Sequence, residues 1–362
     1  MKTIAGAALL TLVALPAQAQ GKNAISEYTL TDLGTLSSAS TDFGCGPAAL
    51  SLGGGNSAVN SISDNGEAVG FYCFRTATDQ EGVYHGFRWT AHRGMVDLGF
   101  PKGWTDPATF VSPFGVNKKG EIAGRLREAN GTDTAFFYDH GSMSAIGNPG
   151  DQAFAINNRG QVTGVSNVAI GPTHGFLYFR GKRTDLCATT GALCGTGFAI
   201  NDAGHVAGGA AASDNGAALW NGVSWRDLGV PAGDTNALAL GINLFDEVVG
   251  RSGDGTIHAF LWNGAFTILP CLSGFTCVAM SINNAGTIVG FANSAAVVWL
   301  QGVVYDLNTL IDPDDPLHGQ VRLYSSSAVN ERGQIAADGC YIAGPKNGQC
   351  YGFILNPTTV RE

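Results

Sequence analysis

The sequence predicts an all-β protein folded as a seven-bladed β-propeller of four-stranded blades, and three observations predict it. A phrase clearest at Ala155-Ile156-Asn157-Asn158-Arg159-Gly160-Gln161-Val162-Thr163-Gly164 returns seven times along the chain. Short apolar, β-branched or aromatic runs surround each copy and are separated by tight turns. The two ends of the chain carry complementary fractions of one repeat.

The recurrent position falls at Ser63, Asn117, Asn157, Asn201, Asn243, Asn283 and Asn330, with intervals of 54, 40, 44, 42, 40 and 47 residues. A period of about 40–45 residues made of strand-like pieces reads as a propeller or an array of small sheets. In the third copy the pieces are 153–156, 161–166, 174–179 and 183–186, each rich in residues that strands favour. Residues 157–160 turn the first piece into the second, since Asn bonds its own backbone and Gly supplies a positive φ. Arg180-Gly181-Lys182 turns the third into the fourth. Other fourth pieces end at Asp97-Leu98-Gly99, Asp227-Leu228-Gly229 and Asp306-Leu307-Asn308.

The ends predict closure. Tyr28-Thr29-Leu30-Thr31-Asp32-Leu33-Gly34 is a fourth strand with no first three before it, and residues 328–356 supply three strands without a fourth. Joining them completes the last blade with the N-terminal strand and leaves no long unpaired edge.

The third pieces share a second motif, His258-Ala259-Phe260-Leu261-Trp262, with His174-Gly175-Phe176-Leu177-Tyr178 and His85-Gly86-Phe87-Arg88-Trp89 as variants. Together with the Ile-Asn-x-x-Gly-x-Val-x-Gly phrase, this resembles the extracellular HAF-repeat family over nearly all of residues 20–362. The resemblance implies export and a β-propeller-like fold, and it brings no established activity or catalytic residues. Thr134, Gly216, Ala295 and Tyr351 stand where copies two, four, six and seven would carry the His.

Residues 1–19 are expected to be a signal peptide, with Lys2, an apolar stretch over 4–15 and the Ala17-Gln18-Ala19 cleavage site. Cleavage leaves residues 20–362 as a single domain, exported to the periplasm or the extracellular space. No apolar run approaches the ~18 residues of a membrane span. Charged residues make up 14% of the chain and glycine 52 of its 362 positions, which suits short strands and tight turns. A net charge of −9 excludes nucleic acid as the expected partner. Eight cysteines in an exported chain are expected to pair. Spacing favours Cys187 with Cys194, Cys271 with Cys277 and Cys340 with Cys350, leaving Cys45 with Cys73.

Blade topology sorts the connections. First-to-second and third-to-fourth turns share one face, the floor, where every turn is short. The opposite face holds the long connections 35–58, 72–84, 100–113, 254–257, 309–326 and 338–349, and all eight cysteines. Long loops on a rigid scaffold are the usual carriers of binding, so a ligand site is expected there. Trp104 is its candidate sugar-stacking aromatic.

Asp312, Asp314 and Asp315 offer oxygen ligands to calcium, without the spacing of a dedicated loop; otherwise no metal or cofactor is expected. His85, His174 and His258 begin third strands, about 10 Å farther from the axis than the first, and are expected to be blade contacts. His318, Arg322 and Tyr324 would suit β-elimination on an acidic polysaccharide as base, carboxylate neutraliser and proton donor. No nucleophile elbow, P-loop or zinc-protease motif occurs. The expected function is therefore a non-catalytic binding or scaffold protein recognising a glycan or protein partner through the loop-rich face. A polysaccharide lyase using His318, Arg322 and Tyr324 and a purely structural envelope component are the alternatives. Oligomeric state is not legible.

Overall fold

A computed structural model describes residues 27–36, 57–74, 83–104, 110–128, 130–166, 173–187, 194–210, 215–274 and 276–358. These residues form seven four-stranded antiparallel sheets arranged as a seven-bladed β-propeller. Blade 1 comprises Ser57–Ile62, Ala68–Phe74, Val83–Thr90 and Gly94–Asp97. Blades 2 to 6 follow the same order, with first strands at Phe110–Val116, Gln152–Ile156, Ala199–Ile200, Ala237–Ile242 and Cys277–Ile282. Blade 7 comprises Val321–Val329, Ile335–Tyr341 and Cys350–Pro357, and its fourth strand is Tyr28–Asp32 from the other end of the chain. Tyr28 pairs with Pro357 and Asp32 with Phe353, so the ring closes by main-chain hydrogen bonds as the chain ends predict. Asp315 reinforces the closure, its Oδ2 accepting the Leu30 amide at 2.8 Å.

The core lies between blades. Val249 and Ala259 of blade 5 pack on Cys277, Ala279, Ile288 and Trp299 of blade 6, and equivalent clusters fill the other junctions. The third-strand phenylalanines Phe87, Phe136, Phe176, Phe260 and Phe353 are fully buried. Each removes a whole aromatic side chain from water, worth about 1.5–3 kcal/mol.

The first strands are bulged. Register shifts occur between Val59 and Ser61, Pro113 and Gly115, Ala153 and Ala155, Ala239 and Gly241, and Ala279 and Ser281. A bulge leaves one residue unpaired and re-aims its side chain. Here that residue stands three before the recurrent asparagine and turns towards the axis. The same bulge brings a first-strand carbonyl under the glycine that ends the repeat phrase. A Cβ added to Gly250 would overlap the Leu238 carbonyl oxygen, and one on Gly290 would overlap that of Val278. Blade 7 carries Ala337 at this position, and its first strand has a second register shift, between Leu323 and Ser325.

The His-Ala-Phe histidine has a structural partner. His85 Nδ1 lies 2.9 Å from Asp97 Oδ2, and His174 Nδ1 lies 2.9 Å from Asp185 Oδ2. The other oxygen of each aspartate accepts the amide two residues on, from Gly99 and from Cys187. Burial works to raise the Asp185 carboxyl, but the His174 hydrogen bond, the Cys187 amide and the neighbouring positive charges outweigh it and hold it low. Such a depressed carboxyl stabilises the fold above its unfolded pKa, and that contribution is lost as pH falls through the folded value. His258 meets Asp234 instead, at 2.9 Å.

Three of the expected disulfides are present, Cys187–Cys194, Cys271–Cys277 and Cys340–Cys350. Cys73 is disulfide-bonded as well, whereas Cys45 lies outside the described residues, as do residues 1–19. No helix among the described residues is long and apolar enough to cross a membrane.

Candidate binding site

His318 lies in the turn after Asp315 with Nδ1 3.2 Å from the Ile311 carbonyl. Arg322 is exposed on the first strand of blade 7, opposite Cys340, and Tyr324 is half-buried beside Asp338. Asp312 accepts the Asp314 amide, and buried Asp315 accepts the amides of Leu30 and Leu317. Trp104 packs against Val69, Leu98 and Val111 between blades 1 and 2. His174, Cys187 and Cys194 lie close enough to share a metal, but the two sulfurs are joined to each other.

Asp338 is the most perturbed acid near these positions. Burial pushes its carboxyl up to about 7, against the pull of the Val59 amide, which donates to it at 2.9 Å. The folded pKa lies above the unfolded one, so the folded state holds an extra proton between about pH 4 and 7. Stability from this group is therefore highest in acid, falls as pH rises through that window and is flat above it. Asp338→Asn, which keeps an acceptor for Val59, is expected to add roughly 2–3 kcal/mol at pH 8 and little at pH 4. Urea unfolding at the two pH values checks this.

Among the described residues, the floor face holds two concavities. At its centre the recurrent asparagines form a ring. Asn117, Asn157, Asn201, Asn243 and Asn283 each donate Nδ2 to the backbone carbonyl of the next blade's asparagine at 2.9 to 3.3 Å, and Asn330 donates to Ser63. The side-chain oxygen meanwhile accepts amides two and four residues on, as at Arg159 and Gln161. Turn cap and blade-to-blade staple are thus one residue. Ser63 has no carboxamide, and its Oγ accepts the Glu67 amide. Inside the ring lies a cavity of about 280 Å³, lined by bulged Phe114, Phe154, Leu240 and Met280 and by Asp64, Asp202 and Glu331 at its mouth. Burial raises the Glu331 carboxyl, and the charges of Asp64 and Asp202 add to this against the Asn284 amide.

A larger groove of about 580 Å³ opens beside it, where blade 7 meets blades 1 and 2. One wall is a polar relay across the closing blade. Asn356 donates to Thr31 Oγ1 at 3.1 Å, Gln334 to Asn356 at 2.7 Å and Arg332 to Gln334 at 2.7 Å. The other wall carries Trp89 and Thr90, the Arg88–Glu67 ion pair, and Lys118 and Lys119. Trp89 pairs with Ala68 in the ladder, as Trp220, Trp262 and Trp299 pair with Val206, Val248 and Ile288. Those three tryptophans are buried, at 7%, 7% and 1% exposure, while Trp89 is only half-buried. Trp89 is among the residues that line the groove.

Sequence reasoning read the floor as plain because its turns are short. The groove arises instead from side chains of three blades, and the one readable signal was the run of Lys118 and Lys119 within a turn that elsewhere carries one cation or none.

No family model matches the chain, and no curated protein matches it. Among solved structures it is similar to an acylaminoacyl peptidase of Pyrococcus horikoshii, at 10% identity and a TM-score of 0.49, over 84% of this chain and 52% of that one. A fungal alcohol oxidase of the AA5 family in complex with copper aligns at 11% identity and a TM-score of 0.49, over 92% and 76% of the two chains. The Aleuria aurantia lectin in complex with Fucα1-6GlcNAc aligns at 14% identity and a TM-score of 0.38, over 69% and 94%. None of these likenesses assigns a ligand or a reaction to this chain.

Proposed function

We propose that the protein is an exported, non-catalytic carbohydrate-binding protein of the HAF-repeat type, and that its site is the floor groove between blades 7, 1 and 2. The observation that carries this reading is Trp89, a half-buried tryptophan in the groove lining, where the tryptophans at the same ladder position of blades 4, 5 and 6 are buried. A flat aromatic face offers apolar contact to the C–H side of a sugar ring. Around it stand groups that match hydroxyls, namely the Asn65, Gln334 and Asn356 carboxamides and the Thr31 and Thr90 hydroxyls. The groove volume falls within the range of small-ligand sites, about 300–1,000 Å³. Export rests on the N-terminal signal and on the paired cysteines.

Thermal unfolding against a panel of oligosaccharides tests the reading. A ligand that binds only the folded state adds about 2.7 kcal/mol at a hundredfold excess over Kd. The expected result is an upward shift with selected sugars that Trp89→Leu abolishes while its ligand-free midpoint stays near that of the parent. A panel that leaves the midpoint unmoved would overturn the proposal.

A further inference from the structure

The groove gathers cations on an acidic molecule. Four of the chain's 20 Lys and Arg, namely Arg88, Lys118, Lys119 and Arg332, line it, against one carboxylate, Glu67. Glu67 is already held by Arg88, which both hydrogen-bonds and ion-pairs with it. The remaining three cations are uncommitted in charge. Lys118 and Arg332 make no ion pair among the described residues. Lys119 reaches Glu121 only at 3.7 Å with about half its side chain exposed, a contact that water screens. Glu121 is in any case bound to Asn117, whose Nδ2 donates to it at 2.6 Å.

These cations are placed as well as numerous. The Arg332 guanidinium lies across Gly66, where an added Cβ would come within 2.6 Å of its Nη2. The same Nη2 donates to Gln334, which the relay through Asn356 to Thr31 holds in place. Arg88 lies across Gly120 in the same manner, an added Cβ there meeting its Nη2 at 2.9 Å. Two turn glycines thus let two guanidinium groups lie close over the backbone. A guanidinium held in a fixed plane presents paired N–H donors to a carboxylate or a sulfate.

Resting on the groove as a carbohydrate site, we infer that its ligand is an anionic glycan, one whose sugars carry carboxylate or sulfate groups. Trp89 takes the ring, the carboxamides take hydroxyls, and Arg332 with Lys118 and Lys119 takes the acidic group. A lipid surface fits less well, because the cations sit in a concavity beside carboxamides and not on a flat or apolar face. Recognition here is binding only; no bond of the sugar is broken.

Isothermal titration at low ionic strength tests the inference, using trigalacturonate, a sulfated galactose trimer, neutral galactotriose and anionic phospholipid vesicles. One or both anionic trimers are expected to bind about tenfold or more tightly than the neutral one, as charge-assisted hydrogen bonds imply. The preference should weaken as salt rises. Arg332→Gln should remove most of it, whereas Lys182→Gln, an exposed cation on the fourth strand of blade 3, should leave it intact. Because Arg332 is exposed, its variant is expected to unfold at the parental midpoint. Equal affinity for neutral and anionic trimers would overturn the anionic class and leave the groove as a sugar site. Binding of vesicles but no trimer, or no binding at all, would overturn both. An anionic preference that survives Arg332→Gln and Lys118→Gln together would place the acidic group elsewhere and overturn the assignment.

Discussion

Gly250→Ala is expected to abolish the native fold at 37 °C or to lower stability by about 4 kcal/mol or more. The added methyl has nowhere to go. It would overlap the Leu238 carbonyl oxygen, with the Leu238 carbonyl carbon at 2.9 Å and Ala239 Cα at 3.0 Å. These are backbone atoms of the bulged first strand, so relief requires moving the strand itself. Moving it would disturb the junction with blade 6, where Val249 is wholly buried. Gly255→Ala is the control. That glycine has a positive φ, +73°, which Gly250 does not, but nothing lies within 4 Å of its missing Cβ, so only backbone strain of about 1 kcal/mol is expected. Far-UV circular dichroism and urea midpoints separate the two. Near-equal midpoints would mean that the bulge yields and that the close approach does not require the glycine.

Asn157→Ala carries the second large effect, about 3–5 kcal/mol. The side chain accepts from the amides of Arg159 and Gln161 and donates to Gln161 Oε1 and to the Asn201 carbonyl. It is 4% exposed, so truncation leaves several buried groups without partners, each worth about 1 kcal/mol or more. Asn157→Asp should show which half matters, because it keeps the turn cap and loses the donor to the next blade. A loss in Asn157→Asp close to that of alanine would assign the stability to the staple. Ser63→Asn works in the opposite sense. It supplies the one carboxamide missing from the ring and is expected to raise the unfolding free energy read from urea titration by about 1 kcal/mol.

Much of the fold was legible because one residue type serves one purpose in each repeat. The turn needs a side-chain acceptor and then a positive φ, so Asn157 and Gly160 recur as a pair; the closing strand at 28–34 reads as a fourth strand because Asp32 and Gly34 repeat the Asp97 and Gly99 turn. The His-Ala-Phe histidines were also legible as structural, and the geometry adds the aspartates that hold them. The channel lining was not legible. The bulge depends on backbone register, and Phe114, Phe154, Leu240, Met280 and Ser327 share no chemistry that would announce a common position.

The groove was hidden for a different reason. Thr31, Trp89, Lys118 and Arg332 are far apart in the chain and meet only because the N-terminal strand closes blade 7 next to blades 1 and 2. Loop length directed attention to the opposite face; of the long connections it named, segments 37–56, 75–82 and 105–109 lie outside the described residues. Trp89 itself looked like every other third-strand aromatic; it is half-buried, as Tyr138 and Tyr178 are at the same position, and what sets it apart from them is its place in the groove lining.

A crystal structure of the protein grown with trigalacturonate, or with whichever trimer gives the largest thermal shift, tests the central claim most directly. The account predicts sugar density against the Trp89 ring, with an acidic group at Arg332 and the chain running over the junction of blades 7, 1 and 2. Sugar bound on the loop-rich face, with the floor groove occupied only by solvent, would contradict it.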